Sequence, residues 1–344
     1  MLLKKLSEAY GVSGDEGNVR SLLRTELQDY AEELTTDSIG NLYVKKGLGK
    51  KPRVMLAAHM DEVGLMVVGF EKSGLLRVTA VGGLDHRVLV SKPVVVGNNH
   101  VPGVIGAKAI HLQKPQERKK PLEIDNLYID LGVQSQEEAE KLVKIGDYVA
   151  FRSSVNEIGE NCLLGKAFDD RAGCAVLAEV MKADFDLELT GVFTVQEEVG
   201  LRGAGVAAFN VHPEAALVFE ATSAADVAGT KEAGHVTQIG QGPAITIMDS
   251  SFITPQYMID LAVKTAEKLG IPYQFRRLTT AGTDAGQISQ THEGIPSLVI
   301  SIPCRYIHSP ATLINLDDYQ NTIRLAKGIL KAIEEGGLPC EGTA

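Results

Sequence analysis

The strongest constraint in the sequence is a short apolar run that ends abruptly in polar residues. In RVMLAAHMDEVG, residues 53–64, five apolar residues from Val54 to Ala58 are followed at once by His59, and Asp61 comes two residues later. A run of this length between polar flanks predicts a β-strand that is buried on both faces of a sheet. Ligands of open α/β sheets bind outside the carboxyl ends of the strands, where His59 and Asp61 would lie. The ordinary alternative to a ligand site is a histidine whose hydrogen bonds are all made within the protein, next to an acid that caps a loop.

The order of predicted elements indicates an α/β fold with an insertion. After an amphipathic helix expected at about residues 18–33, strands and helices alternate at both ends of the chain. This alternation is typical of a mainly parallel mixed sheet with helices on both faces. Between these parts, short Val- and Ile-rich runs alternate with Gly, Pro and Asn turns, which indicates a compact β-rich block. We predict a catalytic α/β domain at residues 1–66 and 164–344, interrupted by a β-rich inserted domain at residues 67–163.

Composition excludes several classes of protein. The net charge of -10 and the lack of a basic stripe argue against a nucleic-acid surface, and the basic cluster KPQERKK at residues 114–120 contains a Glu and a Pro. No apolar run approaches the roughly 18 residues that a membrane helix needs. The amino terminus lacks a signal-peptide core, and the four cysteines are scattered without a CxxC pair. We therefore expect a cytoplasmic protein with reduced thiols.

Several predicted strands end in side chains that can bind a metal ion. The candidates at these ends and at one helix start are His59, Glu197, Glu198, Glu220, His308 and the pair Asp169 and Asp170. Each has an ordinary explanation on its own, since helix starts favour Asp and strands often end in solvated acids. Carboxyl ends of parallel strands share one edge, however, and clustered like charges are costly unless cations neutralise them. Mixed His and carboxylate ligands suit zinc, cobalt or manganese, and the absence of Cys argues against a structural zinc site.

Five motifs resemble those of one enzyme family. AAHMDEVG, AFDDRAG, TVQEEVGLRGA, AGTDAG and RYIHSP, in this order over nearly the whole chain, are similar to the motif series of the TET or glutamyl aminopeptidase family, some members of which are labelled endoglucanase. The resemblance implies a zinc-exopeptidase-like α/β domain interrupted by a small β-rich domain. It also implies two divalent metal ions per subunit, peptide substrates, and assembly into a tetrahedral homododecamer.

The resemblance assigns a role to each candidate residue. It implies that the ligands of the two metal ions are His59, Asp169, Glu198, Glu220 and His308, with Asp169 bridging. Glu197 would be the general base, which takes a proton from metal-bound water, and Asp61 would orient His59. The chain departs from the family at Glu220, where Asp is usual. Glutamate is one methylene longer and can still bind a metal ion.

Other residues have two interpretations. The glycine-rich AGTDAGQIS contains Gly282, Thr283 and Asp284, which would contact substrate or would form a turn before a helix. Arg305 would contact substrate near His308 or form a structural ion pair. His111 of the inserted domain would reach a neighbouring subunit or, as we expect, lie on the surface.

The leading prediction is a cytoplasmic, dinuclear metal-dependent aminopeptidase that removes the amino-terminal residue of short peptides. Zinc or cobalt is the expected metal, with manganese as a further candidate. A glycoside hydrolase is an alternative because two acids alone could perform that chemistry. The chain has no Trp and only 5% aromatic residues, however, which leaves few platforms for sugar stacking. A catalytically weakened assembly protein with the same fold is the third possibility, and its only support is Glu220.

Overall fold

The computed structural model describes residues 1–277 and 281–340. The α-helices of these residues are α1 (Leu2–Glu8), α2 (Gly17–Leu27), α3 (Gln136–Glu140), α4 (Phe168–Met181), α5 (Arg202–Val211), α6 (Gln256–Leu269), α7 (Ala285–Ser289) and α8 (Leu316–Gly336). None of the helices in the described part of the chain is long and apolar enough to cross a bilayer.

The strands form two separate sheets. The large sheet contains β1 (Glu33–Thr36), β2 (Leu42–Lys46), β3 (Arg53–His59), β10 (Asn156–Ile158), β11 (Cys162–Gly165), β12 (Glu188–Thr194), β13 (Ala215–Ser223), β14 (Ala244–Thr246), β15 (Gln274–Arg276), β16 (Ser297–Arg305) and β17 (Thr312–Asn315). A closed barrel contains β4 (Gly64–Phe70), β5 (Leu76–Val81), β6 (Pro93–Val96), β7 (Val101–Ala107), β8 (Leu127–Asp130) and β9 (Tyr148–Phe151).

The large sheet has a parallel centre and antiparallel sides. Its order is β1-β2-β12-β3-β13-β16-β17-β11-β10, with β14 paired to β16 and β15 paired to β14. The neighbours β12, β3, β13 and β16 are parallel. The strands on either side of these four pair in antiparallel fashion. The predicted α/β fold with a mainly parallel mixed sheet and helices on both faces is confirmed, and its parallel centre brings four carboxyl ends to one edge.

Alternate residues of β3 face two different cores. Val54, Leu56 and Ala58 pack in the core that includes α1, α2, α4, α6 and α8. Met55 and Ala57 pack in the core that includes α5 and α7. All five are at most 1% exposed, and burying a Leu or Met side chain stabilises a fold by roughly 1.5–3 kcal/mol. Packing on both faces therefore fixes the strand whose last residue is His59.

The barrel lies in the segment where a β-rich insertion was predicted. Its strands run from Gly64 to Phe151 and enclose a core of their own. The next two strands, β10 and β11, pair with each other, and β11 also pairs with β17, so both belong to the large sheet. The sequence placed residues up to 163 in the insertion because short Val- and Leu-rich strands look alike in either sheet. The division into two domains at these boundaries stays a prediction.

The helix expected at about residues 18–33 is shorter than the sequence pattern indicates. The structure ends α2 at Leu27, and Glu33 begins β1 instead. The backbone of β1 pairs with β2, with Leu34 opposite Val44. Pairing with a strand that follows in the chain therefore overrides the local helical pattern.

A buried ion network connects the end of β3 with the start of α4. Both carboxylate oxygens of Glu62 accept hydrogen bonds from Lys166 Nζ, at 2.6 and 2.8 Å, and Arg171 Nη2 donates to Glu62 Oε1 at 3.2 Å. Arg171 also donates to the backbone carbonyls of Met60 and Leu6, at 2.7 and 2.6 Å. The three charged side chains are at most 3% exposed. The network therefore fixes the two segments that contain His59, Asp61 and Asp169.

Removing the central carboxylate of this network should destabilise the fold strongly. We expect Glu62→Ala to lower the free energy of unfolding by about 3–5 kcal/mol, because two buried cations lose their partner. Glu33→Ala is the matched control, since Glu33 forms a surface ion pair with Lys45 at 2.9 Å. This substitution should lower the free energy of unfolding by less than about 1 kcal/mol. Urea unfolding followed by circular dichroism measures both values. Equal losses in the two variants would contradict the role given to the network.

Candidate metal centre

Charged and imidazole side chains meet at the carboxyl ends of the parallel strands. His59 is the last residue of β3, Glu220 lies in β13, Glu197 and Glu198 follow β12, His308 follows β16, and Asp169 lies in the first turn of α4. These six residues line one cavity of about 250 Å³. The structure therefore brings together the residues that the sequence proposed as metal ligands and general base.

Asp169 lies between the two imidazoles. Its Oδ1 is 3.1 Å from His59 Nε2, and its Oδ2 is 3.0 Å from His308 Nε2. Glu220 Oε1 lies 3.3 Å from His59 Nε2, and Glu198 Oε1 lies 3.3 Å from His308 Nε2. The cluster thus consists of two half-sites, each with one imidazole and one glutamate, that share Asp169.

Both imidazoles are oriented by backbone carbonyls. His59 Nδ1 lies 3.2 Å from the carbonyl oxygen of Asp61, and His308 Nδ1 lies 2.8 Å from that of Gly83. A carbonyl oxygen only accepts, so each Nδ1 carries a hydrogen and donates it. In the neutral tautomer, each Nε2 then directs a lone pair at carboxylate oxygens, which is repulsive. A positive species at each Nε2, either a proton or a metal ion, relieves that repulsion.

Two buried carboxylate oxygens at the centre accept no hydrogen bond. Among the described residues, Glu198 Oε1 and Glu220 Oε1 have no donor, although each lies near an imidazole. Leaving a buried charged oxygen without a partner is costly. Ligand atoms of His59, Asp169 and Glu198 lie within 4.8 Å of one another, as do those of His59, Glu197 and Glu220. Because this donor set contains nitrogen and oxygen but no thiolate, the residues fit a divalent cation such as zinc, cobalt or manganese.

The crowding also shifts the pKa values of the acids. Burial, together with the charge of Asp169, raises the pKa of Glu198 to about 8. Burial raises the pKa of Glu220 to about 7, against the lowering effect of His59. Burial also raises the pKa of Glu197 well above its ordinary value. Burial acts in the same direction on Asp169, but hydrogen bonds with both imidazoles hold its pKa below its ordinary value. Burial therefore favours the protonated forms of the three glutamates, and a bound cation would take the place of those protons.

Asp61 positions several parts of the site at once. Its side chain is fully buried and accepts hydrogen bonds from Ser13 Oγ at 2.6 Å and from the backbone N–H groups of Glu197 and Glu198, at 3.0 and 3.1 Å. Its Oδ1 lies 3.4 Å from His59 Nδ1. The nearer acceptor for that imidazole is the backbone carbonyl of Asp61, so this residue orients the ring mainly through its main chain.

The glycine-rich segment lies next to the cavity. Gly282 and Thr283 line it, as the sequence suggested for substrate contacts. Asp284 is buried behind this wall, where Thr194 Oγ1 donates a hydrogen bond of 2.5 Å to its carboxylate. Asp284 therefore contacts the scaffold of the site and is not among the lining residues.

Two other candidates lie apart from the cavity. Arg305 donates from Nε and Nη2 to both carboxylate oxygens of Asp226, at 2.8 and 2.7 Å. This geometry is the structural ion pair that the sequence left open as one of two interpretations. His111 is exposed on the barrel side, between β7 and β8.

Two residues that contribute to the site were not among the candidates from the sequence. Asp170, which was named together with Asp169, accepts the backbone N–H of His59 at 3.2 Å. Ser13 bonds to Asp61, and Arg276 lines the cavity. Neither Ser13 nor Arg276 lies in a motif that indicates such a position, because both reach the site only through tertiary packing.

A mixed His and carboxylate centre at the carboxyl edge of an α/β sheet is typical of metal-dependent hydrolases. Comparison with known proteins specifies the class further. The profile of the M42 glutamyl aminopeptidase family matches residues 40–325, so the chain belongs to that family. It is similar to the lysyl aminopeptidase of Pyrococcus furiosus, with 33% identity over 341 residues that cover 97% of each chain.

Solved structures show the same similarity. A TET aminopeptidase from a marine-sediment Thaumarchaeota archaeon superposes with a TM-score of 0.94 and 38% identity over 98% of each chain. A TET peptidase from Pyrococcus horikoshii superposes with a TM-score of 0.85 and 32% identity, over 95% of this chain and 98% of that one. The latter assembles into a tetrahedron or a large octahedral shell.

These findings establish the reaction class. The protein is an aminopeptidase, a hydrolase of peptide bonds, and the family is metal-dependent. The predicted family and the predicted aminopeptidase class are confirmed, which sets aside the glycoside hydrolase alternative. The assembled relatives also support self-association of this chain.

Removing divalent cations should lower the thermal stability of the protein. We expect chelation followed by dialysis to lower the Tm by at least about 3 °C, because the buried carboxylates then repel one another and the bound state is lost. Adding zinc or cobalt back should restore the Tm. Scanning calorimetry measures the shift, with chelator that is already saturated with the metal as the control. An unchanged Tm would contradict a cation at this centre.

Proposed function

We propose that this aminopeptidase holds two divalent cations per subunit, zinc or cobalt in preference to manganese. The proposed ligands are His59 and Glu220 for one ion, His308 and Glu198 for the other, and Asp169 for both. The observation that carries the proposal is the position of Asp169, whose two oxygens each face one Nε2 at 3.1 and 3.0 Å. The donor-free oxygens of Glu198 and Glu220 support it.

Glu197 is the proposed general base. When bound, the cations supply a Lewis acid for the scissile carbonyl and lower the pKa of a water molecule. Glu197 lines the cavity, and the hydrogen bond from its backbone N–H to Asp61 fixes its main chain. Its carboxylate takes a proton from the attacking water and delivers it to the leaving amine nitrogen. Because burial raises its pKa, Glu197 is a stronger base than an exposed glutamate.

Glu220 is compatible with a ligand role although the family usually has Asp at this position. It lies three residues before the end of β13, directly beside Ser301 of β16. From there its Oε1 already reaches within 3.3 Å of His59 Nε2. We infer that the longer side chain still reaches the position that a ligand of His59's metal ion would need.

Metal content and turnover should distinguish the roles of the neighbouring residues Glu197 and Glu198. We expect Glu197→Gln to keep its metal content but to lower kcat by roughly 100-fold or more, the usual scale for loss of a general base. Glu198→Gln should instead lower the metal content, because it removes a ligand. Metal analysis and aminoacyl-nitroanilide assays on both variants measure the two quantities. A Glu197→Gln protein that loses its metal, or turns over normally, would overturn the assignment.

We further propose that the substrates are short peptides and that the subunits form a tetrahedral homododecamer. The inserted domain, predicted at residues 67–163, would contribute to subunit contacts and to substrate access. Its barrel is closed, so the strands leave no free edges and the contacts must use side chains. Ile110 and Leu112, 69% and 62% exposed, are apolar side chains available for this. A cytoplasmic location is proposed because Cys162, Cys174 and Cys304 are thiols.

Charges placed on the exposed apolar side chains of the barrel should reduce assembly. We expect the double variant Ile110→Asp and Leu112→Asp to sediment as smaller particles than the wild type, because burying two carboxylates in a contact is unfavourable. Lys119→Asp, in the same segment, is the control for a change of charge alone. Sedimentation velocity measures particle size, and a monomeric wild-type protein at micromolar concentration would contradict the proposed assembly.

A further inference from the structure

One arginine lines the active-site cavity. Among the described residues around the cavity, Arg276 of β15 is the one Lys or Arg side chain, and it is only 5% exposed. A guanidinium stays charged at any physiological pH. Burying it therefore requires hydrogen-bond partners or a counter-ion.

The nearest carboxylate is already occupied by other donors. Asp249 Oδ1 accepts hydrogen bonds from Ser251 N–H and Oγ, at 2.6 and 2.7 Å, and from Phe252 N–H at 3.0 Å. Its Oδ2 accepts one from Thr283 Oγ1 at 3.0 Å. Arg276 Nη1 lies 3.8 Å from that oxygen, beyond hydrogen-bond distance. Asp249 thus reduces the electrostatic cost of the buried arginine without satisfying its donors.

The guanidinium has donors without partners. Within residues 1–277 and 281–340, Arg276 Nε and Nη1 make no hydrogen bond. Nη2 reaches the carbonyl oxygen of Ala281 only at 3.5 Å. Buried, unpaired donors of a charged group destabilise the free protein. A ligand that accepts hydrogen bonds from them removes this penalty, which favours binding. Among the described residues, Asp249 has the one carboxylate within 4.0 Å of the guanidinium, so the acids around the two imidazoles do not supply this partner.

We propose that Arg276 binds a carboxylate of the substrate and thereby determines specificity. This inference rests on the aminopeptidase reaction proposed for the same cavity. The carboxylate comes from the side chain of an amino-terminal Glu or Asp, or from the carboxyl terminus of a very short peptide. A neutral analogue would leave the donors of Arg276 unpaired, and an amino-terminal Lys or Arg would be repelled.

Two substrate pairs distinguish the sources of the carboxylate. Glutamyl- and glutaminyl-p-nitroanilide differ only in a side-chain carboxylate, and Leu-Gly and Leu-glycinamide differ only in a terminal one. We expect the wild-type kcat/KM to favour the acidic member of one pair by at least about tenfold, the scale of a hydrogen bond to a charged group. A preference below about twofold in both pairs would overturn the inference. This measurement needs no variant.

Variants then test whether Arg276 causes the preference. Arg276→Met should abolish it and Arg276→Lys should retain part of it, with the kcat/KM of each substrate expressed relative to that of leucyl-p-nitroanilide for the same variant. Arg277→Met is the matched control, because Arg277 is the next residue and is exposed outside this cavity. A preference that survives in Arg276→Met, or an equal loss for all substrates, would overturn the inference. Continued cleavage of the leucyl substrate would leave the proposed metal mechanism standing.

Discussion

Repulsion among buried carboxylates is the constraint on which the rest of the structure depends. The two imidazole Nε2 atoms each lie 3.0–3.3 Å from carboxylate oxygens of Asp169 and of one glutamate, Glu220 or Glu198. One oxygen of each glutamate has no hydrogen-bond donor among the described residues. Such a cluster opposes folding, because each buried acid must either lose the water around its charge or keep a proton, as the raised pKa values of Glu198 and Glu220 indicate. The opposing stability comes from elsewhere, from the two cores that pack on either face of the parallel strands. A bound cation would convert the same cluster from a cost into a stabilising site.

The orientation of the two imidazoles links the separate parts of the chain to this cluster. His59 is held by the main chain of Asp61, just after its own strand, whereas His308 is held by Gly83, which follows the barrel strand β5. The barrel therefore contributes directly to the geometry of one half-site. The buried Asp61 carboxylate adds a third connection, since it joins Ser13 near the amino terminus to the segment of Glu197 and Glu198.

The sequence predicted those features that depend on strand order and on where strands end. His59 and Glu220 could be placed because their strands are continuous apolar runs, and parallel pairing brings their ends together. Contacts made by tertiary packing could not be predicted. Arg276 lies in a three-residue strand without a pattern, and Arg305 has its partner Asp226 nearly eighty residues away. The pairing of β11 with β17 likewise joins segments that are distant in the chain.

The central claim is that Asp169 is shared by two cations, each bound to one imidazole. Anomalous diffraction from crystals grown with zinc, recorded on either side of the zinc absorption edge, tests it directly. The account predicts two peaks per subunit, one on each side of Asp169, at about 2 Å from His59 Nε2 and from His308 Nε2. A single peak, or peaks that contact neither Nε2, would contradict it.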